Sequence, residues 1–147
     1  MGWVNELHAK TIGLDTAPLI YFIEQHDRYI ERLRPFFVSL ADGKLRVVTS
    51  TVTLAEVLVH PLRHGDEALA HQYNDILLSS SHIATLPVTH AIAQEAAELR
   101  AHYSLKTPDA IQLATALSQK AEAFLTNDRD FPQVDGIQIL RLKEITA

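Results

Sequence analysis

Four acids stand where a carboxylate has more than one use. Asp15 ends a short apolar run in GLDTAPLI, and Glu56 lies in TVTLAEVL. Asp109 lies in KTPDAIQLA and Asp128 in FLTNDRDF. Each falls at the junction of a strand pattern and a helix pattern, or in a helix beside one. In a doubly wound α/β sheet, ligands bind outside the carboxyl ends of the strands. Asp15 and Asp128 belong at that rim, and a helix that starts there presents Asp109. Carboxylates brought together repel unless they are protonated or bridged by cations. Hard oxygen ligands suit Mg2+ or Mn2+, so a divalent ion is the expected occupant of such a cluster.

Each acid also has an ordinary structural reading. Asp15 is placed to N-cap the helix that follows it, and Asp109 to complement a helix dipole. Glu56 is spaced to complete a capping box with Thr53 in TLAE. Asp128 is a common kind of turn residue before Phe131. Taken singly, the structural reading is the stronger for each, and the chemical case rests on all four converging.

The elements that must position these acids follow from periodicity. TIGLD at 11–15 reads as a strand, followed by helical patterns from Ala17 to Gln25 and from Asp27 to about Leu40, where Asp42-Gly43 is a stop signal. The β-branched LRVVT at 45–49 reads as a second strand. Thr51 to Val59 is helical up to Pro61, and Asp66 to Ser79 is helical again. IATLPV at 83–88 is a strand whose end Pro87 weakens. In the next helix, Thr89 to Tyr103, Ile92, Ala96, Leu99 and Tyr103 recur at helical spacing. Thr107-Pro108 opens another helix, with Thr107 as its N-cap. AFLT at 123–126 and IQILRL at 137–142 are the last strands.

Strands that alternate with helices imply parallel pairing and right-handed crossovers. The expectation is a three-layer α/β domain around a central, mostly parallel sheet of four to five strands. The helix from Pro108 is apolar at Ala110, Ile111, Leu113, Ala114, Ala116 and Leu117, nearly all the way round, which predicts burial.

Composition bounds the rest. The chain has 147 residues, 47% hydrophobic and 21% charged, with no repeat or linker, so residues 1–147 read as one domain. No cysteine is present, which excludes disulfides, thiolate zinc sites and cysteine nucleophiles. No apolar stretch approaches the ~18 residues a bilayer span needs, and no signal peptide is visible at MGWVNELHAK. The expected location is the cytoplasm. No GxGxxG, GxxxxGK or GxSxG segment occurs. His60 and His64 are four apart but straddle Pro61 with no third ligand nearby, so two surface histidines are the better reading. The net charge is −5, opposite in sign to a protein that binds nucleic acid through bulk charge. Phosphates would have to be held locally, by a few arginines or a metal. Arg28 and Arg32, four apart on one helix face, read as a solvated charged face before they read as a phosphate contact. Trp3, Tyr21 and Tyr29 read as packing residues before base-stacking ones.

LDTAPLIYFIE, TLAEVL, KTPDAIQLATAL and LTNDRDF, in this order, resemble the PIN domain of ribonucleases, most closely the VapC toxins of prokaryotic toxin–antitoxin modules. The likeness runs from about Thr11 to about Leu142, a PIN-like core of 11–142. Asp15, Glu56, Asp109 and Asp128 match the family's acidic quartet, which holds one or two Mg2+ or Mn2+ ions for hydrolysis of RNA phosphodiesters. The resemblance implies Asp15 and Asp109 as direct ligands, with Glu56 and Asp128 completing the site. Thr126 matches a hydroxyl that helps to orient a water or an acid. Ala17 departs from the pattern, standing where the family often has serine. The resemblance further implies a homodimer, and an antitoxin that lays a helix or an extended segment across the active-site groove. A metal would also reconcile RNA as substrate with a net charge of −5.

The leading expectation is therefore a metal-dependent endoribonuclease toxin. A PIN nuclease of RNA maturation or decay without an antitoxin is the second. A non-catalytic PIN-like RNA- or protein-binding module is the third, though none of the four acids is lost here. An acidic phosphohydrolase is disfavoured because no D-x-D-x-T segment is present.

Overall fold

The computed structural model describes residues 2–145. Five strands form the sheet: β1 (Thr11–Leu14), β2 (Arg46–Ser50), β3 (Ile83–Leu86), β4 (Ala123–Thr126) and β5 (Gln138–Arg141). Their order is β3-β2-β1-β4-β5, and every pairing is parallel. Parallel neighbours need crossovers, and crossovers cover both faces of the sheet, so its strands read as continuous apolar runs. All four residues of β4 are buried, as are Ile12, Gly13 and Leu14 of β1.

Three helix pairs make the crossovers. α1 (Thr16–Ile23) and α2 (Ile30–Ala41) join β1 to β2, and α3 (Thr51–Arg63) and α4 (Glu67–Ser79) join β2 to β3. α5 (His90–His102) and α6 (Thr107–Ser118) lead into β4. The chain leaves β1 toward one edge of the sheet and later adds β4 and β5 on the other side. A crevice therefore opens at the carboxyl ends of β1 and β4, the topological switch point of this sheet.

Two apolar cores flank the sheet. One gathers Leu14, Leu33, Phe36, Phe37, Tyr73 and Leu77, and the other Ala110, Leu113, Ala114, Phe124 and Phe131. α6 lies so close to β1 that a Cβ on Gly13 would come 2.6 Å from the Ala116 Cβ and 2.7 Å from Phe124. That close approach sets the first turn of α6, with Asp109, beside the end of β1. Among the described residues, no helix is long and apolar enough to cross a membrane.

Several boundaries differ from the expectation. α2 starts at Ile30, so Arg28 precedes it and does not share a helix face with Arg32. Arg32 instead donates to the Leu142 carbonyl at 3.3 Å and lies over the Tyr29 ring. α3 runs past Pro61 to Arg63. The buried proline has no N–H to give the Val57 carbonyl, so α3 continues there without that bond. Lys106, not Thr107, is the N-cap of α6, and the Thr107 hydroxyl accepts from Arg100 at 2.9 Å. Trp3 stacks on Phe36 and donates Nε1–H to the Arg32 carbonyl, and Tyr29 is buried, so both are packing residues.

Candidate active site

The site begins where β1 stops. Asp15 is the N-cap of α1: Oδ1 accepts from the Thr16 N–H at 2.9 Å. Capping occupies one oxygen only. Oδ2 accepts from the Thr126 hydroxyl at 2.7 Å, and the Asp15 N–H donates to the Leu125 carbonyl at 2.9 Å, so the acid is stitched across the β1–β4 crevice. Burial raises its carboxyl to about 6, against the pull of the Thr126 and Thr16 hydrogen bonds, and the charges of Asp109 and Glu56 add to the rise. The N-cap reading of Asp15 is realised, and its second oxygen is turned to β4.

Asp109 lies in the first turn of α6. Its carboxyl is also raised, first by burial and then by the charges of Asp128 and Glu56, while Lys106 opposes them. Asp128 sits two residues beyond β4 and accepts from the Asp130 N–H at 2.9 Å, an Asx turn of the ordinary kind. The Thr126 hydroxyl serves both ends: it donates to Asp15 and accepts from the Asp128 N–H at 3.1 Å. Asp109, Asp128 and Asp130 line one cavity of about 340 Å³ with Ser104, Leu105, Lys106 and Phe131.

Glu56 projects from α3, where its Oε1 accepts from the Thr16 hydroxyl at 2.5 Å. The expected Thr53–Glu56 capping box does not form. α3 starts directly after β2, so Ser50 is its N-cap, accepting from the Val52 N–H at 3.1 Å. Thr53 is then the third residue of the helix and Glu56 the sixth, so Thr53 is not the cap and Glu56 is not its capping-box partner. Thr53 is fully buried and takes a hydrogen bond from Gln112.

The four acids thus form one electrostatic group, with Asp15 and Asp109 at its centre. None of them is ion-paired within 4.0 Å to a basic side chain among the described residues. Hard oxygen donors whose charges lift the carboxyls of Asp15 and Asp109 have the chemistry a divalent ion takes. Among the described residues, no three such groups stand close enough to enclose an ion as the side chains lie. The donor chemistry fits an ion, around which the side chains would have to draw together. The exposed His60 and His64 rings lie tilted against each other with centroids 4.3 Å apart.

Sequence reasoning passed over Thr16, Ser50, Thr53 and Gln112, which join behind Glu56 in one buried hydrogen-bond network. The signal was present, since Gln112 is an amide inside a helix that is otherwise apolar on nearly every side.

A family model, the PIN domain, matches residues 12–137. No curated protein sequence matches the chain. Among solved structures, a toxin–antitoxin complex from Klebsiella pneumoniae is 25% identical, with a TM-score of 0.64, covering 90% of this chain and 97% of its own. VapBC2 from Rickettsia felis, bound to a DNA fragment from its promoter, is 18% identical with a TM-score of 0.65. That match covers 89% of this chain and 98% of the other. VapC20 of Mycobacterium tuberculosis, a toxin that cleaves the sarcin–ricin loop, is 20% identical with a TM-score of 0.63 and covers 82% of this chain and 92% of its own. A parallel sheet with acids at its switch point, and a family match across most of its length, place this chain in the PIN domain family.

Proposed function

We propose that the protein is a Mg2+- or Mn2+-dependent endoribonuclease, acting as the toxin of a toxin–antitoxin module. The observation that carries this reading is the coupled group of Asp15, Glu56, Asp109 and Asp128 at the carboxyl rim, none of them ion-paired to a basic side chain among the described residues. Asp15 and Asp109 hold the ion directly, and Glu56 and Asp128 complete its surroundings. A divalent ion held there supplies positive charge against the phosphodiester and acidifies the attacking water.

The chain's own residues do the positioning. Thr126 fixes Asp15 relative to Asp128 and so sets the spacing across the crevice. Asp15 must give up the proton that burial favours before it can ligate, so binding releases protons near pH 6. Lys106, beside Asp109, is the cation placed to meet a phosphate at the cavity mouth. The likeness to toxin–antitoxin complexes supports an antitoxin as partner, and the family resemblance supports a homodimer.

RNA cleavage by the purified protein tests the reading. Cleavage is expected with Mg2+ or Mn2+, none with EDTA, and a loss of more than ~100-fold in Asp109→Asn, since even outer partners of a metal cost 10- to 100-fold. Cleavage that persists in EDTA, or in Asp109→Asn at the wild-type rate, overturns it.

A further inference from the structure

Glu56 is an exposed side chain, and an exposed glutamate has many rotamers to choose from. Here one hydrogen bond restrains it. The Thr16 hydroxyl stands 2.5 Å from Glu56 Oε1 and, because a carboxylate only accepts, must donate its single hydrogen there. What leaves that hydrogen free for Glu56 lies deeper in the protein.

Gln112 is 2% exposed and touches three hydroxyls. Ser50 Oγ accepts from the Val52 N–H and gives its one hydrogen to Gln112 Oε1 at 2.6 Å. The amide nitrogen therefore faces the other way, donating to the Thr53 hydroxyl and, at 3.3 Å, to Thr16 Oγ1. Thr16 accepts from the amide and passes its own hydrogen outward. With the amide reversed, Gln112 Oε1 would draw the Thr16 hydrogen inward, and Glu56 would face a lone pair. Ser50 on one side and the accepting Glu56 Oε1 on the other select the same orientation. Thr53 extends the network to Thr49 at 2.9 Å, and Thr49 bonds the Leu14 carbonyl at 2.9 Å, next to Asp15 in the chain. One amide from α6 thus ties together the elements that carry Asp15, Glu56 and Asp109.

We propose that Gln112 and Thr16 are positioning residues: the buried amide sets the direction of the Thr16 hydroxyl, and that hydroxyl holds Glu56 toward Asp15 and Asp109 for ion binding. The inference rests on the metal-dependent reading above, and its test separates the two. Thr16→Val removes the hydroxyl and keeps the shape, while Thr16→Ser keeps the hydroxyl. In metal-free crystal structures, Glu56 is expected in place in the wild type and in Thr16→Ser, and displaced in Thr16→Val. By calorimetry with Mn2+, Thr16→Val is expected to bind roughly 10- to 100-fold more weakly and Thr16→Ser like the wild type. Unchanged melting temperatures exclude a general loss of structure. Gln112→Met should move Glu56 and Mn2+ affinity in the same direction, and if it does not fold, the Thr16 pair decides. Glu56 unmoved in Thr16→Val, or wild-type Mn2+ affinity in that variant, overturns the positioning role. A wild type that binds no Mn2+ while Thr16→Val still displaces Glu56 overturns the metal reading and leaves the positioning of Glu56 standing.

Discussion

Around Phe36, Phe37 and Tyr73, every large side chain meets a ring or an aliphatic neighbour. Phe22 stacks on Phe37 at 4.0 Å, Phe36 meets Phe37 edge-on at 5.2 Å, and the Tyr73 hydroxyl donates to Glu24 at 2.5 Å. Around Asp15 and Asp109, a few residues away along the sheet, burial works against the groups it covers. It lifts both carboxyl pKa values, and their neighbours' charges lift them further. The aromatic side of the molecule stores stability, and the carboxyl rim gives some of it up to keep anionic oxygens dry and close. Proteins commonly trade stability for a strained site in this way.

Four measurements would break or sharpen that contrast. The largest effect belongs to the aromatic side: Phe36→Ala is expected to cost about 3–5 kcal/mol in denaturant unfolding, because Phe36 is fully buried among rings. A loss well under that range would mean the packing there is looser than it looks. Next, Mn2+ at a hundredfold excess over its dissociation constant should stabilise the wild type by about 2.7 kcal/mol. Asp109→Asn should lose most of that gain, and equal stabilisation of both proteins would separate the rim from ion binding.

Third, metal-free Asp15→Asn should be more stable than the wild type at pH 7, on the order of 2 kcal/mol, because the amide is spared ionisation in a buried place. The pH dependence follows from the raised carboxyl. The folded state binds this proton more tightly than the unfolded chain does. Its contribution is therefore full below the unfolded value near 4 and lost as the pH rises through about 6. The advantage of Asp15→Asn should shrink steadily from pH 7 to pH 4, and an advantage that grows on acidification would reverse the assignment. The smallest effect is at the N-cap of α5. Thr89 accepts from the Ile92 N–H at 3.2 Å, and Thr89→Ala should cost about 1 kcal/mol with RNA cleavage unchanged.

The alternation of strand and helix was readable because each strand is a short, β-branched or apolar run bounded by turn chemistry. The helices around Ile92, Ala96 and Leu99 and around Leu113 were readable from their spacing. Boundaries were less so. Pro61 reads as a stop, yet its buried ring sits inside α3, and Thr107 reads as a cap, yet Lys106 holds that position. Asp15, Thr126 and Asp128 were legible as residues at strand ends, Asp109 at the start of a helix and Glu56 within one. Their mutual coupling was not, because it depends on burial and on how closely α6 approaches β1.

The sequence by itself determined the class of the fold, the residues at the rim and their resemblance to an acidic quartet, since these follow from local pattern and order along the chain. Only the tertiary structure decided which donors Glu56 meets. Thr53 and Glu56 look like partners because they are three residues apart, but α3 begins at Thr51 and gives them separate duties. Thr16 of α1, Ser50 and Thr53 at the start of α3, and Gln112 of α6 come from three distant segments, and a hydrogen bond across such distances leaves no period in a sequence. It is fixed by the packing of α6 onto β1, where Gly13 leaves room for Ala116.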